Sequence, residues 1–255
     1  MKNGIRILFF AWAILLPWQA GAASPAPLTI SAAMSLKNAF EDVSAAYTRQ
    51  SGVPCTLNFA ASGVLLGQIA GGAPVGLFAS ASQKDMNEAE RLGLIRKESR
   101  RDFVANRMVL IAPLGAAHLP SDLEGLRSND IKRIATGNPK SVPAGRYAHE
   151  AMEKNGLLPL LQEKLIYGEN VRQVLDYVAR GEVDAGLVYA SDVLAAKDRV
   201  QVLALLPENS HSPIRYPVAL VKDSPSEKAG ADFIAFLFSD EGRRILEKHG
   251  FSPLP

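Results

Sequence analysis

From residue 28 onward the chain repeats one arrangement: a short apolar run, a loop of small residues, then apolar positions at helical spacing. Residues 28–32 predict a first strand, and apolar residues at 36, 39, 40, 43, 46 and 47 predict an amphipathic helix ending near Gly52. Residues 53–59 predict a second strand and 63–70 a short helix, 77–79 a third strand and 83–92 a third helix, and 108–112 is strand-like up to Pro113. The second stretch keeps the same rhythm. A strand at 134–136 precedes a helix over about 144–154, and a strand at 165–167 precedes a helix whose apolar face is Val171, Val174, Leu175 and Val178. Residues 185–189 read as a buried strand, with Ser191 or Asp192 able to cap the next helix. A strand at 218–221 is followed by helices over about 226–237 and 240–249, with Gly250 placed for a left-handed stop.

Strands alternating with helices predict an α/β protein of mostly parallel sheets covered on both faces. Ligands of such sheets sit beyond the carboxyl ends of the strands, where helix N-termini point. Four loops lie there: 32–36 around Ser35, 59–63 around Ser62, 141–145 with Pro143 and Ala144, and 168–172 with Val171 and Arg172. Each presents backbone N–H groups without intrahelical partners, and two add a serine hydroxyl, a donor set suited to a small anion. Taken singly, these residues have ordinary structural readings. Ser35 and Ser62 are common helix caps, Pro143 a helix starter, Arg172 a solvated helix residue and Tyr189 a half-buried strand end. Enzyme signatures are absent. Neither serine sits in G-x-S-x-G, the four histidines are scattered without metal-ligand spacing, and no dinucleotide or P-loop glycine pattern occurs.

Composition narrows the setting. Residues 1–23 carry Lys2 and Arg6, a ten-residue apolar run at 7–16, and small residues at 20–22, the pattern of a cleaved export signal too short to span a bilayer. Without them, positive and negative side chains balance at 26 each, so bulk charge attracts neither an anion nor a nucleic acid. Cys55 is the only cysteine, which precludes an intrachain disulfide. It alternates with Val53, Leu57 and Phe59 on an expected inward face, predicting a buried, structural thiol. No apolar run from residue 24 onward reaches membrane length, so a soluble mature protein is expected.

An ordered set of segments then resembles one family, the periplasmic molybdate-binding proteins of ATP-driven importers. The segments are ISAAMSLKNAF (30–40), LNFAASGVLLGQI (57–69), GAPVGLFASAS (72–82), TGNPKSVPAGRYAHEA (136–151), GENVRQVLDYV (168–178), AGLVYASD (185–192) and IRYPVALV (214–221), and the likeness runs over 28–253. The resemblance implies a two-lobed periplasmic binding protein of type II, with residues 24–105 plus 217–255 in one lobe, 106–216 in the other and the ligand cleft between them. It implies an oxyanion held without cations, by hydroxyls of Ser35, Ser62 and Tyr189 and by main-chain N–H groups of Ala144 and Val171. Gly76 and Ser82 depart from the family pattern, which usually carries aspartate at both places.

The expected function is capture of molybdate, and of tungstate, by a monomeric periplasmic protein. It would deliver the ion to an ABC permease, with no cofactor, no catalysis and no nucleic-acid partner. Two rivals stand beside it: a binder of another tetrahedral anion such as sulfate, and an exported enzyme on the same scaffold.

Overall fold

Alternation of buried and outward residues sets the strands of this computed structural model, which describes residues 26–117 and 119–255. The export signal expected at residues 1–23 lies outside the described residues. In the first part of the chain, β1 (Leu28–Ala33) is buried at five of its six positions, and β2 (Cys55–Ala60) and β3 (Leu77–Ala79) pair parallel to its two sides. A 3-10 turn at Met34–Leu36 leads into α1 (Lys37–Ser51), which packs Phe40, Val43 and Tyr47 inward and ends on left-handed Gly52. The other two strands feed α2 (Ser62–Ala70) and α3 (Gln83–Arg91).

Next come β4 (Arg101–Ala105) and β5 (Met108–Pro113), then β6 (Ile134–Gly137) with α4 (Pro143–Lys154) and the single turn α5 (Leu158–Leu161). The strand β7 (Leu165–Gly168) feeds α6 (Val171–Ala179), whose four expected apolar residues are its buried set. The strand β8 (Ala185–Tyr189) feeds the turn α7 (Ala190–Val193). The chain then runs through β9 (Val200–Leu205), β10 (Arg215–Leu220), α8 (Glu227–Leu237), α9 (Asp240–Lys248) and β11 (Ser252–Pro253), with Gly250 left-handed at φ 80°. Among the described residues, no helix is long and apolar enough to cross a membrane.

The strands form two sheets, ordered β11-β4-β10-β3-β1-β2 and β7-β6-β8-β5-β9, each the core of a lobe flanked by helices. The two-lobed α/β expectation holds. Both sheets are mixed: β2-β1-β3 and β7-β6-β8 are parallel trios and β4 and β9 run in the same direction as their trio, whereas β10 runs opposite between β3 and β4, β5 opposite between β8 and β9, and β11 opposite beside β4. The physical reason is the connectivity. Parallel strands need a helical crossover, whereas β4 passes into the second sheet through only Asn106 and Arg107, and residues 206–214 bring the chain back. The two crossings are bonded to each other through the Asn106 N–H and the Ile214 carbonyl at 3.1 Å.

Two other expectations are amended, and the place of Gly76 is explained. Cys55 is half-buried, because β2 is an edge strand, and burial still pushes its thiol up, away from reactivity. The helix after Tyr189 begins at Ala190, so Ser191 and Asp192 lie inside it, and the Asp192 carboxylate caps by accepting the Tyr189 N–H at 3.1 Å. Gly76 packs at the start of β3, where a Cβ would stand 2.8 Å from the Leu28 side chain.

Candidate functional site

Every expected site residue follows the carboxyl end of a parallel strand. Ser35 follows β1 and Ser62 follows β2 in the first lobe, while Ala144 follows β6, Val171 follows β7 and Tyr189 closes β8 in the second. The two trios face each other, and the structure brings all five residues to the wall of one hollow, completed by Ala33, Met34, Ala61, Ala81, Val142 and Pro143. No charged side chain is among these lining residues. The approach of α4 depends on glycine: a Cβ on Gly145 would lie 2.0 Å from the Gly137 carbonyl oxygen, so only glycine lets the helix N-terminus sit this close to the end of β6.

The hollow is small. About 10 Å3 is open to the centre of a water-sized sphere. Treated as a sphere, that space has a radius of about 1.3 Å, and adding a water radius of about 1.4 Å gives room for a body about 2.7 Å in radius. This is the scale of one inorganic ion. A larger groove of about 880 Å3 lies on the flank between Asp85, Arg146 and Arg215, but the five residues do not reach it.

The serine hydroxyls do not cap their helices. Ser35 lies in the 3-10 turn with its Oγ 3.0 Å from the Tyr216 hydroxyl. Ser62 is the first residue of α2, and its Oγ accepts the Ala81 N–H at 3.0 Å from the loop after β3. With that lone pair engaged, the Ser62 hydrogen is free to point into the hollow. Tyr189 is 1% exposed, and its hydroxyl is buried with no partner among the described residues. Such an orphan costs about 1–3 kcal/mol unless something accepts from it. Burial also holds this phenol well above its ordinary titration range, so it keeps its hydrogen. Ala144 is the second residue of α4 and Val171 the first of α6, positions whose N–H groups have no intrahelical acceptor. The Asn170 side chain caps the Gln173 N–H instead. The site therefore converges donors and offers no carboxylate.

Contacts between the lobes show the cleft closed. The Gly63 N–H donates to the Ser141 carbonyl at 3.0 Å, backbone to backbone. Arg146 of α4 pairs with Asp85 of α3, and Arg172 Nη2 donates to Asn38 Oδ1 at 3.3 Å. Asp85 and Arg146 are both largely buried, at 8% and 11% side-chain exposure, so the pair exists only when the lobes meet. Arg172, expected to be a solvated helix residue, is instead part of this interface. Beneath the hollow, Asp192 is buried and its carboxyl is pushed up to about 7, burial outweighing the opposing effect of Arg172.

Sequence reasoning missed Tyr216 and Asn106. Tyr216 is fully buried on β10, its ring 5.8 Å from that of Tyr189. Asn106 Nδ2 donates to Ser191 Oγ at 2.8 Å and to the Tyr216 hydroxyl at 3.3 Å. Ser82, the second departure from the family pattern, caps α3 by accepting the Lys84 N–H and does not line the hollow.

Two α/β lobes, a double crossing between them and a small hollow at facing strand ends define a solute-binding protein of the two-lobed type. The bacterial extracellular solute-binding protein family matches residues 28–252, and the chain belongs to it. Among curated relatives, the molybdate-binding protein ModA of Escherichia coli (strain K12) is 36% identical over 230 residues, covering 88% of each chain. Among solved structures, the periplasmic molybdate-binding protein of Azotobacter vinelandii superposes with a TM-score of 0.80 at 23% identity, covering 89% of this chain and 99% of that one. The sulfate-binding protein SubI of Mycobacterium tuberculosis H37Rv gives 0.78 at 17% identity, covering 90% and 88%. At these identities the two structural likenesses establish the fold alone, so the ion must be argued from the site.

Proposed function

We propose that this protein captures molybdate, and tungstate as well, in the hollow between its lobes and hands it to an ABC permease. The observation that carries the reading is the donor set: three hydroxyls and two helix-start N–H groups around an ion-sized space with no charged side chain among its lining residues. A buried dianion is tolerated only where its oxygens are hydrogen-bonded, and the orphaned Tyr189 hydroxyl is relieved by the same event. Ser35, Ser62 and Tyr189 donate side-chain hydrogens, while Ala144 and Val171 donate main-chain ones. The lobes, residues 24–105 plus 217–255 and residues 106–216, close over the ion because it binds the closed form preferentially. The similarity to ModA over 88% of the chain supports molybdate as the cargo. The protein works as a periplasmic monomer after removal of residues 1–23, needs no cofactor or nucleic acid, and releases its ligand unchanged.

Sulfate is the rival that fold cannot dismiss. It has the same charge and shape but is smaller, so donors spaced for molybdate leave some sulfate oxygens beyond about 3.2 Å, where hydrogen bonds weaken steeply. Losing two such contacts at about 1.5–3 kcal/mol each gives roughly two to four decades of preference. Competition calorimetry tests the reading. Molybdate and tungstate within about tenfold of each other, with sulfate far weaker, is expected; sulfate within tenfold of molybdate refutes it.

A further inference from the structure

Asp192 is a buried carboxylate with no part in gripping the ion. It is 2% exposed and lies in the turn α7, directly after Tyr189. Its Oδ2 accepts the Tyr189 N–H at 3.1 Å, while its Oδ1 is buried with no hydrogen-bond partner among the described residues. The elements packed on α7 are α6, β8 and β9, and they supply little to hold a negative charge there. From α6 the facing cation is Arg172, but its Nη2 is engaged with Asn38 across the cleft and its Nε is itself unpartnered. From β8 comes the Tyr189 phenol and from β10 the Tyr216 phenol, both of which keep their hydrogens, and β9 carries no titratable side chain. An ionised Asp192 is thus a buried charge with one backbone hydrogen bond and a distant counter-charge. Burial by itself pushes its carboxyl up to about 7.

The Tyr189 N–H that meets Asp192 and the Tyr189 hydroxyl that meets the ion belong to one residue. Carboxylate and ion therefore stand within about 15 Å, a range over which a dianion strengthens proton binding to a carboxylate more than tenfold at an effective dielectric constant of about 20. We propose that Asp192 is a proton site linked to ion capture: the oxyanion is bound together with one proton, taken from solvent onto Asp192 Oδ1. The closed protein then buries the two charges of the ion instead of those two plus a third. The inference rests on the oxyanion reading of the hollow. No bond of the ligand changes, and the proton returns to solvent when the ion leaves. The sign follows from linkage. At pH values below the carboxyl's range the proton is already in place and capture needs none; above it each ion must bring one, so affinity falls as pH rises.

The test is calorimetric titration of the mature protein with molybdate at pH 6, 7 and 8, each in two buffers of different ionisation enthalpy, for the wild type and Asp192→Asn. In the wild type, Kd rises about fivefold or more from pH 6 to pH 8, and proton uptake per ion grows from about 0.1 or less to about 0.4 or more. Asparagine keeps an oxygen for the Tyr189 N–H, so Asp192→Asn binds as the wild type does at pH 6, takes up no proton and holds its affinity to pH 8. Asp192→Ser, which also keeps an acceptor for that N–H, serves in its place if the asparagine variant does not fold. The proposal is overturned if the wild-type binding enthalpy at pH 8 is the same in both buffers, or if the variant retains the uptake, as it would were a histidine the group that titrates. Failure of the wild type to bind molybdate, tungstate or sulfate at all would instead remove the oxyanion reading itself.

Discussion

Replacing Gly63 by alanine should weaken ligand binding without destabilising the unliganded protein. Gly63 stands at the start of α2, and a Cβ there would lie 2.8 Å from the Ser141 carbonyl oxygen, 3.0 Å from its Cα and 3.3 Å from its carbonyl carbon. All three atoms are backbone of the other lobe, so none can rotate away, and ordinary contact requires the lobes to part by about 0.5 Å or more. The Gly63–Ser141 hydrogen bond at 3.0 Å is stretched, and Ser141 carries Ala144 with it. Losing one neutral bond at about 1 kcal/mol and part of one bond to a charged ion at about 1.5–3 kcal/mol gives about 2–3 kcal/mol in all, roughly 30- to 150-fold in Kd. Without ligand the open form feels no clash, and alanine favours a helix by up to about 1 kcal/mol over glycine. The unliganded melting temperature should hold or rise. Calorimetry paired with thermal denaturation reads both quantities. Affinity within threefold of wild type, or an unliganded melting temperature that falls, would refute the reasoning.

Ser35→Ala and Ser62→Ala should each weaken molybdate binding by about 1.5–3 kcal/mol; calorimetry finding both equal to wild type would remove those hydroxyls from the site. Affinity should fall only modestly with added salt, because Arg172, Lys197 and Lys248 line an adjoining crevice rather than the hollow; a Kd rising steeply with chloride would place a cation on the ion. Asp192 carries its own pH signature. Its carboxyl is pushed up to about 7 from an unfolded value near 3.8, so the folded state holds a proton that the unfolded chain has lost across that window, and its contribution to stability declines as pH rises through it. Asp192→Asn should therefore match wild type near pH 4 and melt several degrees higher at pH 8, at about 2–4 °C per kcal/mol; parallel pH profiles for the two proteins would contradict this.

What was legible in the sequence was local. Helical spacing in α1 and α6 named their buried faces correctly; the four strand-to-helix loops contain Ser35, Ser62, Ala144 and Val171, the family resemblance singled out these residues and added Tyr189, and the fold gathers all five at one hollow. What escaped was set by distant pairing. The antiparallel-paired strands β4, β9 and β11 carry little signal of their own: β9 leaves Val202 and Leu205 exposed at a sheet edge, and β11 is only two residues long. Tyr216 and Asn106 read as ordinary strand and loop residues, because their partners lie 181 and 110 positions away in the chain, across a crossing that no periodicity announces. The inter-lobe role of Arg172 was hidden for the same reason, since Asn38 is 134 residues distant.

The most direct test of the central claim is anomalous diffraction at the molybdenum edge from crystals of the mature protein grown with molybdate. The account predicts one strong peak inside the hollow, with the ion's oxygens within about 3.2 Å of the Ser35, Ser62 and Tyr189 hydroxyls and of the Ala144 and Val171 N–H groups. A peak among Arg172, Lys197 and Lys248, or in the groove beside Asp85 and Arg146, would contradict it.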